Sequence, residues 1–365
     1  MNLESVKLRN YRNYLNETIH FNSGMNILIG DNGEGKTNLL ESIYLLSTTR
    51  SHRNDDDREL IMFDKEFASV EGIVTSQAGK DKISVVLHKS GKTLLVNNQP
   101  VKRNSEIIGR INAVLFAPGD MDLFDSSPKM RRRVIDIEMG KLSSMYMYNL
   151  SSYLKCLKER NAYLKGNVDN IMLETYTEML YDPQIKIIKE RSRFVDSLNN
   201  YMSYFYNQIS GENHKLQIIY RSIIDEKENE TVMMEQMKKI YDNLIDRDIY
   251  LKQTNIGVHR EDYLFYLDGK EVSKFCSQGQ KRMVILSLKL SLVQIIFQIK
   301  REYPVLLLDD VLSELDSKRK NCLLRLLPSS IQTVITTTDI EETELMKNNE
   351  INIIHVMKGM TDHGK

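Results

Sequence analysis

The stretch Gly30-Asp31-Asn32-Gly33-Glu34-Gly35-Lys36-Thr37 has the residue types and spacing of G-x-x-x-x-G-K-[ST], a loop that cradles phosphate. Its glycines let backbone N–H groups turn inward around phosphate oxygens. Lys36 is placed to reach the β- and γ-phosphates, and the Thr37 hydroxyl to hold Mg²⁺. Far downstream, Val305-Leu306-Leu307-Leu308-Asp309-Asp310 is an apolar strand ending in two carboxylates. In a phosphate-loop ATPase the first acid, here Asp309, binds Mg²⁺ through water, and the second, Asp310, positions the attacking water. Two further clusters accompany them: Ser277-Gln278-Gly279-Gln280 ahead of the acids and Ser313-Glu314-Leu315-Asp316 behind. At a helix start, Ser277 Oγ and the N–H groups near Gly279 are donors for a phosphate.

Chemistry of this kind needs particular supports. Met25-Asn26-Ile27-Leu28-Ile29 reads as a strand entering the loop, and residues 38–46 read as the helix leaving it. Strand, glycine-rich loop and helix is the required order, with the helix N-terminus adding partial positive charge. Residues 280–301 read as a long helix opened by the Ser277 cluster, and 304–308 as the strand that delivers the acids. Each motif alone has an ordinary alternative: a chance glycine turn, a polar helix cap, a strand that happens to end in acids. Four in this order are strong evidence together.

The 365 residues suffice for two or three domains, and 50 basic against 50 acidic residues give zero formal net charge. Nucleic-acid binding would therefore need a local patch or a surface assembled from two subunits. Cys156, Cys276 and Cys322 are odd in number and far apart, which predicts a reducing compartment and no disulfide framework. The N-terminus lacks a basic-then-apolar leader, and no uncharged apolar run reaches the roughly 18 residues of a membrane span. The longest candidate, residues 283–298, contains Lys289 and reads as a buried helix. The expectation is a cytoplasmic protein without a membrane partner.

Residues 1–124 read as β-rich, with paired strands at 4–8 and 18–21 and alternating strands at 67–74 and 83–88. From Pro128, with Ser127 as a possible cap, helical patterns rich in Met, Tyr, Leu and Lys dominate at 152–165, 185–208 and 230–251, interrupted by a possible strand at 215–220. After about residue 255 the α/β pattern returns, with strands at 263–267, 304–308, 332–336 and 351–356 and a loose tail from 358. The predicted fold is an α/β phosphate-loop ATPase head with an antiparallel β subdomain and an inserted helical lobe. Its parts are residues 1–124 (N-terminal half of the head), 125–252 (lobe) and 253–365 (C-terminal half). The densest basic cluster is Lys129, Arg131, Arg132 and Arg133. Helical geometry spreads the three arginines over about 200°, so Asp136 and Glu138 are expected partners for some.

The order of motifs resembles that of ABC-type ATPases, with Ser277-Gln278-Gly279-Gln280 as the signature, Asp309-Asp310 as the Walker B end and Ser313 to Asp316 as the D-loop. The chain resembles the RecF family in particular. Leu8-Arg9-Asn10-Tyr11-Arg12-Asn13-Tyr14 is similar to that family's opening, and Arg50-Ser51-His52-Arg53, residues 118–136 and Gly257-Val258-His259-Arg260-Glu261-Asp262 are similar to later segments. Gly119, Val134, Val258, Glu261 and Ser126 depart from the family pattern. The resemblance implies ATP and Mg²⁺ as cofactors, with Thr37 and Asp309 on the metal. Nucleotide contacts come from Gly30 to Thr37, Arg12, Gly279, Gln280 and Asp316, and catalytic roles from Lys36, Ser277 and Asp310. It also implies a homodimer that buries two nucleotides, weak DNA-stimulated hydrolysis, binding to gapped duplex or duplex–single-strand junctions, and recombination mediators as partners. Rival readings are a transporter subunit, whose signature more often reads L-S-G-G-Q, a tether of the SMC or Rad50 kind, which needs long heptads, and a small-molecule kinase, which leaves the signature unexplained.

Overall fold

The computed structural model describes residues 1–338 and 351–363. The chain forms two compact units. The first comprises Met1–Met121, Tyr204–Asn213 and Arg282–Lys365, the second Asp122–Ser203 and His214–Lys281. The second unit therefore takes residues 253–281 together with most of the helical segment.

Two six-stranded sheets build the first unit. One contains β1 (Asn2–Tyr11), β2 (Tyr14–His20), β4 (Phe67–Ser76), β5 (Gly79–His88), β6 (Gly91–Val96) and β7 (Gln99–Val101), in the order β2-β1-β4-β5-β6-β7. Its pairs are all antiparallel, as the alternating sequence pattern demands, with Ser5 opposite His20 and Val70 opposite Val85. The other contains β3 (Met25–Ile29), β8 (Ala113–Phe116), β12 (Val305–Leu308), β13 (Thr333–Thr337), β14 (Ile351–Met357) and β15 (Met360–His363), in the order β15-β14-β3-β13-β12-β8. Every pair is parallel except β14 with β15. All four residues of β8 and of β12 are buried, the continuous apolar run expected where a parallel sheet is covered on both faces. The tail read as loose instead supplies β15, a short hairpin return that the Lys358-Gly359 turn permits, with both residues at positive φ.

The Lys36–Thr48 helix is buried on almost every side. Leu39, Leu40, Ile43, Leu45 and Leu46 join one core with Leu3, Val6, Val70 and Val85 of the antiparallel sheet and Leu28, Leu115, Leu307 and Val334 of the parallel one. A helix buried on nearly all its sides belongs in such an interior, with its buried polar groups hydrogen-bonded. The approach is close at Gly72, where a Cβ would lie 2.6 Å from Leu46 Cδ1.

The second unit joins the helices Pro128–Leu142, Ser144–Tyr163 and Glu230–Leu251 to a three-stranded sheet of β9 (Leu216–Arg221), β10 (Asp262–Leu267) and β11 (Lys270–Glu271), ordered β11-β10-β9. The strand read at 263–267 as part of the returning α/β pattern thus pairs with β9. The helix read at 185–208 begins earlier: Asn170–Ser210 spans 41 residues with Pro183 inside it, although proline lacks the N–H for an intrahelical bond. Buried Leu180, Tyr181, Gln184, Ile185, Ile187 and Ile188 on both sides of the proline hold it together. Ser127 stands at the cap of its helix but makes no side-chain cap bond. All three cysteines are free.

The helix Gln278–Lys300 is long and apolar enough to cross a bilayer, yet 72% of its apolar window is buried inside the protein. Its Lys289 is buried too, and pairs with Asp120 at 3.0 Å. Core packing accounts for its apolar length.

Candidate nucleotide-phosphate site

In a parallel sheet, ligands collect at the carboxyl ends of the strands. The phosphate loop leaves the end of β3, the two acids leave the end of β12, and β13 lies between them. The sheet therefore brings Lys36, Thr37, Asp309 and Asp310 to one edge. Gly33 (φ 88°) and Gly35 (φ 119°) hold the left-handed backbone that bends the loop into the helix. Asp31, Asn32 and Gly33 are exposed, whereas Gly35 and Lys36 are buried. The Lys36 amine stays within the curve of the loop, donating to the carbonyls of Gly30 and Asp31.

Thr37 Oγ1 donates to Asp309 Oδ1 at 3.0 Å, and the buried Thr336 hydroxyl donates to the same oxygen at 3.0 Å. Burial raises the Asp309 pKa, and the two hydroxyl bonds only partly offset it. The neighbouring Asp310 has φ 51°, an uncommon conformation for a residue with a Cβ. Its N–H donates to Thr336 Oγ1 at 2.8 Å and its carbonyl accepts from Ser313 Oγ at 2.6 Å. One threonine hydroxyl thus ties the two acids together. The sequence after β13, Thr336-Thr337-Thr338-Asp339, offers no histidine to a phosphate, and Asp339 lies outside the described residues.

Arg12 does not point at the loop. Its Nε and Nη2 form a two-pronged bond to Glu41 at 2.9 and 3.0 Å, Nη2 also reaches Asn54 Oδ1 at 2.7 Å, and Nη1 reaches the Glu59 carbonyl at 2.9 Å. Glu41 is fully buried. Burial pushes its pKa up, but the bonds from Arg12 and Ser51 outweigh that and leave it lowered. Sequence reasoning missed Glu41, although an acid on an otherwise apolar helix is a visible signal.

Ser277, Gly279 and Gln280 lie in the second unit. Ser277 Oγ accepts from the Gln280 N–H at 3.3 Å, and Gln280 Oε1 accepts from the Ser277 N–H at 2.9 Å. This reciprocal capping box opens the Gln278–Lys300 helix and leaves Ser277 and Gly279 exposed, with the serine proton available to an incoming acceptor. Asp316 caps the Ser317–Leu326 helix through the Arg319 N–H at 2.9 Å, a bond that lowers its pKa.

The basic cluster is largely structural. Arg131 makes a two-pronged bond to Asp262 at 2.7 Å, and Arg132 donates to the Glu261 carbonyl. Asp136 pairs with Arg191 at 2.9 Å and Glu138 with Lys141 at 2.8 Å. Lys129, Arg50, Arg53 and Arg260 are exposed. His259 is held by Tyr153 at 2.6 Å and the Thr254 carbonyl at 3.2 Å. The carbonyl can only accept, so Nε2 carries the proton and Nδ1 accepts from the tyrosine. Burial pushes its pKa down to about 4.

Comparison with known proteins gives the family and the fold. The RecF/RecN/SMC N-terminal domain family model matches residues 2–362. A DNA replication and repair protein RecF from Oenococcus oeni is 41% identical over 358 residues, covering 94% of this chain and 95% of its own. The chain belongs to the RecF family. A second RecF, from Bacillus pumilus, is 38% identical over 366 residues and covers 98% and 99% of the two chains. Among solved structures, a recombination mediator protein RecF with ATP, of the RecFOR pathway, superimposes with TM-score 0.92 at 34% identity, covering all of this chain and 97% of the other. An SMC head domain from Pyrococcus furiosus shares the fold at TM-score 0.57 and 16% identity. The chain is thus similar over nearly its whole length to DNA replication and repair proteins, and its fold is that of an ABC-type ATPase.

Proposed function

We propose that this chain binds ATP and Mg²⁺ at the loop Gly30 to Thr37, dimerises around two nucleotides, and uses slow, DNA-stimulated hydrolysis as a switch on gapped duplex or duplex–single-strand junctions. There it helps mediator proteins load the recombinase. The observation that carries the reading is the pairing of Thr37 Oγ1 with Asp309 Oδ1 at 3.0 Å beside a buried Lys36. Two hard oxygen donors suit Mg²⁺, which keeps water and phosphate oxygens for its remaining positions. No cluster of three or more His, Cys, Asp or Glu ligands occurs among the described residues, consistent with that mode. Thr37 and Asp309 would hold the ion, whose charge would neutralise the phosphate oxygens.

The chain's own groups supply the rest. Loop N–H groups and Lys36 bind the triphosphate. Asp310, set by Thr336, orients water. The exposed Ser277 hydroxyl and the N–H groups near Gly279 meet the nucleotide held by a second copy, and Asp316 lies beside that interface. A RecF with ATP that superimposes over the full length supports the nucleotide and the family role. Zero net charge supports assembly of the DNA surface from two protomers. Equilibrium binding of a fluorescent ATP analogue tests the base of the proposal. Lys36→Ala removes a charge-assisted contact and weakens binding at least about tenfold; parental affinity in that variant overturns the assignment.

A further inference from the structure

The residues Arg12-Asn13-Tyr14, where β1 turns into β2, carry contacts that nucleotide chemistry leaves unused. We propose that Asn13 and Tyr14 are positioning residues for ATP binding: they grip the carbonyl side of two successive peptide planes in the phosphate loop, so that the N–H side faces the triphosphate. This rests on the reading of the loop as the ATP site.

Asn13 Nδ2 donates to the Glu34 carbonyl at 2.9 Å, and the Gly359 N–H donates to the same oxygen at 3.1 Å. Tyr14 OH donates to the Gly35 carbonyl at 3.0 Å, which also accepts the Leu39 N–H at 3.0 Å. Each carbonyl therefore has both lone pairs engaged. In a planar trans peptide, the C=O and the following N–H point in opposite directions. Fixing the Glu34 carbonyl fixes the Gly35 N–H, and fixing the Gly35 carbonyl fixes the Lys36 N–H.

The brace is itself held. Asn13 Oδ1 accepts from Asn38 Nδ2 at 2.9 Å, which turns the amide so that its own NH₂ meets Glu34. Tyr14 is fully buried, and burial raises its pKa, so its hydroxyl stays a donor at neutral pH. The fit leaves no slack. A Cβ on Gly35 would lie 2.5 Å from Asn13 Nδ2 and 3.1 Å from Tyr14 OH, and one on Gly359 would lie 2.2 Å from the Asn13 carbonyl oxygen. The Val356 carbonyl lies 2.3 Å from where a Gly30 Cβ would be, and the Lys358 N–H donates to the Glu34 carboxylate. Two hairpins therefore clasp the back of one loop.

The test compares full-length parent, Asn13→Asp, Tyr14→Phe, Lys36→Ala and the surface control Leu15→Ala. It measures ATP affinity by competition against a fluorescent analogue, steady-state hydrolysis and nucleotide-free melting. Asn13→Asp turns an acceptor toward the Glu34 carbonyl, and Tyr14→Phe deletes one donor. Both weaken ATP binding and raise KM about five- to tenfold, with kcat held within about twofold. A merely structural role would lower kcat through the folded fraction and leave KM alone. Leu15→Ala matches the parent. If Asn13→Asp melts early, Tyr14→Phe alone decides. Parental KM and affinity in Tyr14→Phe, alongside lost binding in Lys36→Ala, overturn the brace and leave the ATP site standing. Parental binding in Lys36→Ala overturns both.

Discussion

Replacing Arg12 by alanine separates a nucleotide contact from a structural partner. The substitution leaves Glu41 buried with no cation, while its remaining bond, from Ser51 Oγ at 2.5 Å, keeps it inside. Removing one member of a buried ion pair costs about 3–5 kcal/mol. For a unit of this size, about 2–4 °C of melting temperature accompanies each kcal/mol. The expected fall is therefore on the order of 6–20 °C, read by calorimetry without nucleotide. Arg12→Lys keeps the charge but loses the fork, so it recovers only part. Arg12→Met with Glu41→Leu removes both charges and recovers most of the loss, since an apolar pair of similar volume is often neutral. The pH dependence has a definite sign. The Glu41 pKa is lowered in the folded state, so its contribution is present above the ordinary value of 4.5 and is lost as pH falls below it. Arg12→Ala that melts like the parent yet fails to bind ATP refutes this account and returns Arg12 to the nucleotide.

At the acids, Asp310→Asn keeps ATP binding but slows phosphate release about a hundredfold or more; parental rates remove Asp310 from the chemistry. Thr336→Val, which leaves the Asp310 N–H without its acceptor, lowers kcat with affinity unchanged, and Thr336→Ser restores it; a silent valine variant refutes the tie between the acids. For pH, burial depresses His52 and His259 to about 4 from 6.5, so both are neutral when folded and stability falls as pH drops from 6.5 toward 4. His259→Gln keeps both bonding roles and flattens part of that slope in melting curves; an unchanged slope counts against it.

Local structure was readable where several residue types had to coincide. The phosphate loop, the acid-ended strand and the Ser277 cap each combine a motif with a periodic flank, and the structure places all three at helix or strand ends. What escaped depends on contacts far apart in sequence. Arg12 meets Glu41, 29 positions on, only because the antiparallel sheet packs over the loop helix. Arg131 finds Asp262 across 131 positions in preference to nearby acids. The β15 return has only four residues, too few for a period, and gains its place by hydrogen bonding to β14. The helix through Pro183 persists because tertiary packing outweighs one missing bond.

The central claim is that nucleotide joins two copies of this chain and that the joined form holds DNA. Sedimentation velocity with and without ATP, Mg²⁺ and a labelled gapped duplex measures both at once. The account predicts a monomer with weak DNA binding alone, and a DNA-bound dimer with ATP whose affinity falls steeply with salt as phosphate contacts release counterions. Ser277→Arg should bind ATP and remain a monomer. A protein that stays monomeric with ATP and DNA, or a Ser277→Arg variant that dimerises like the parent, contradicts it.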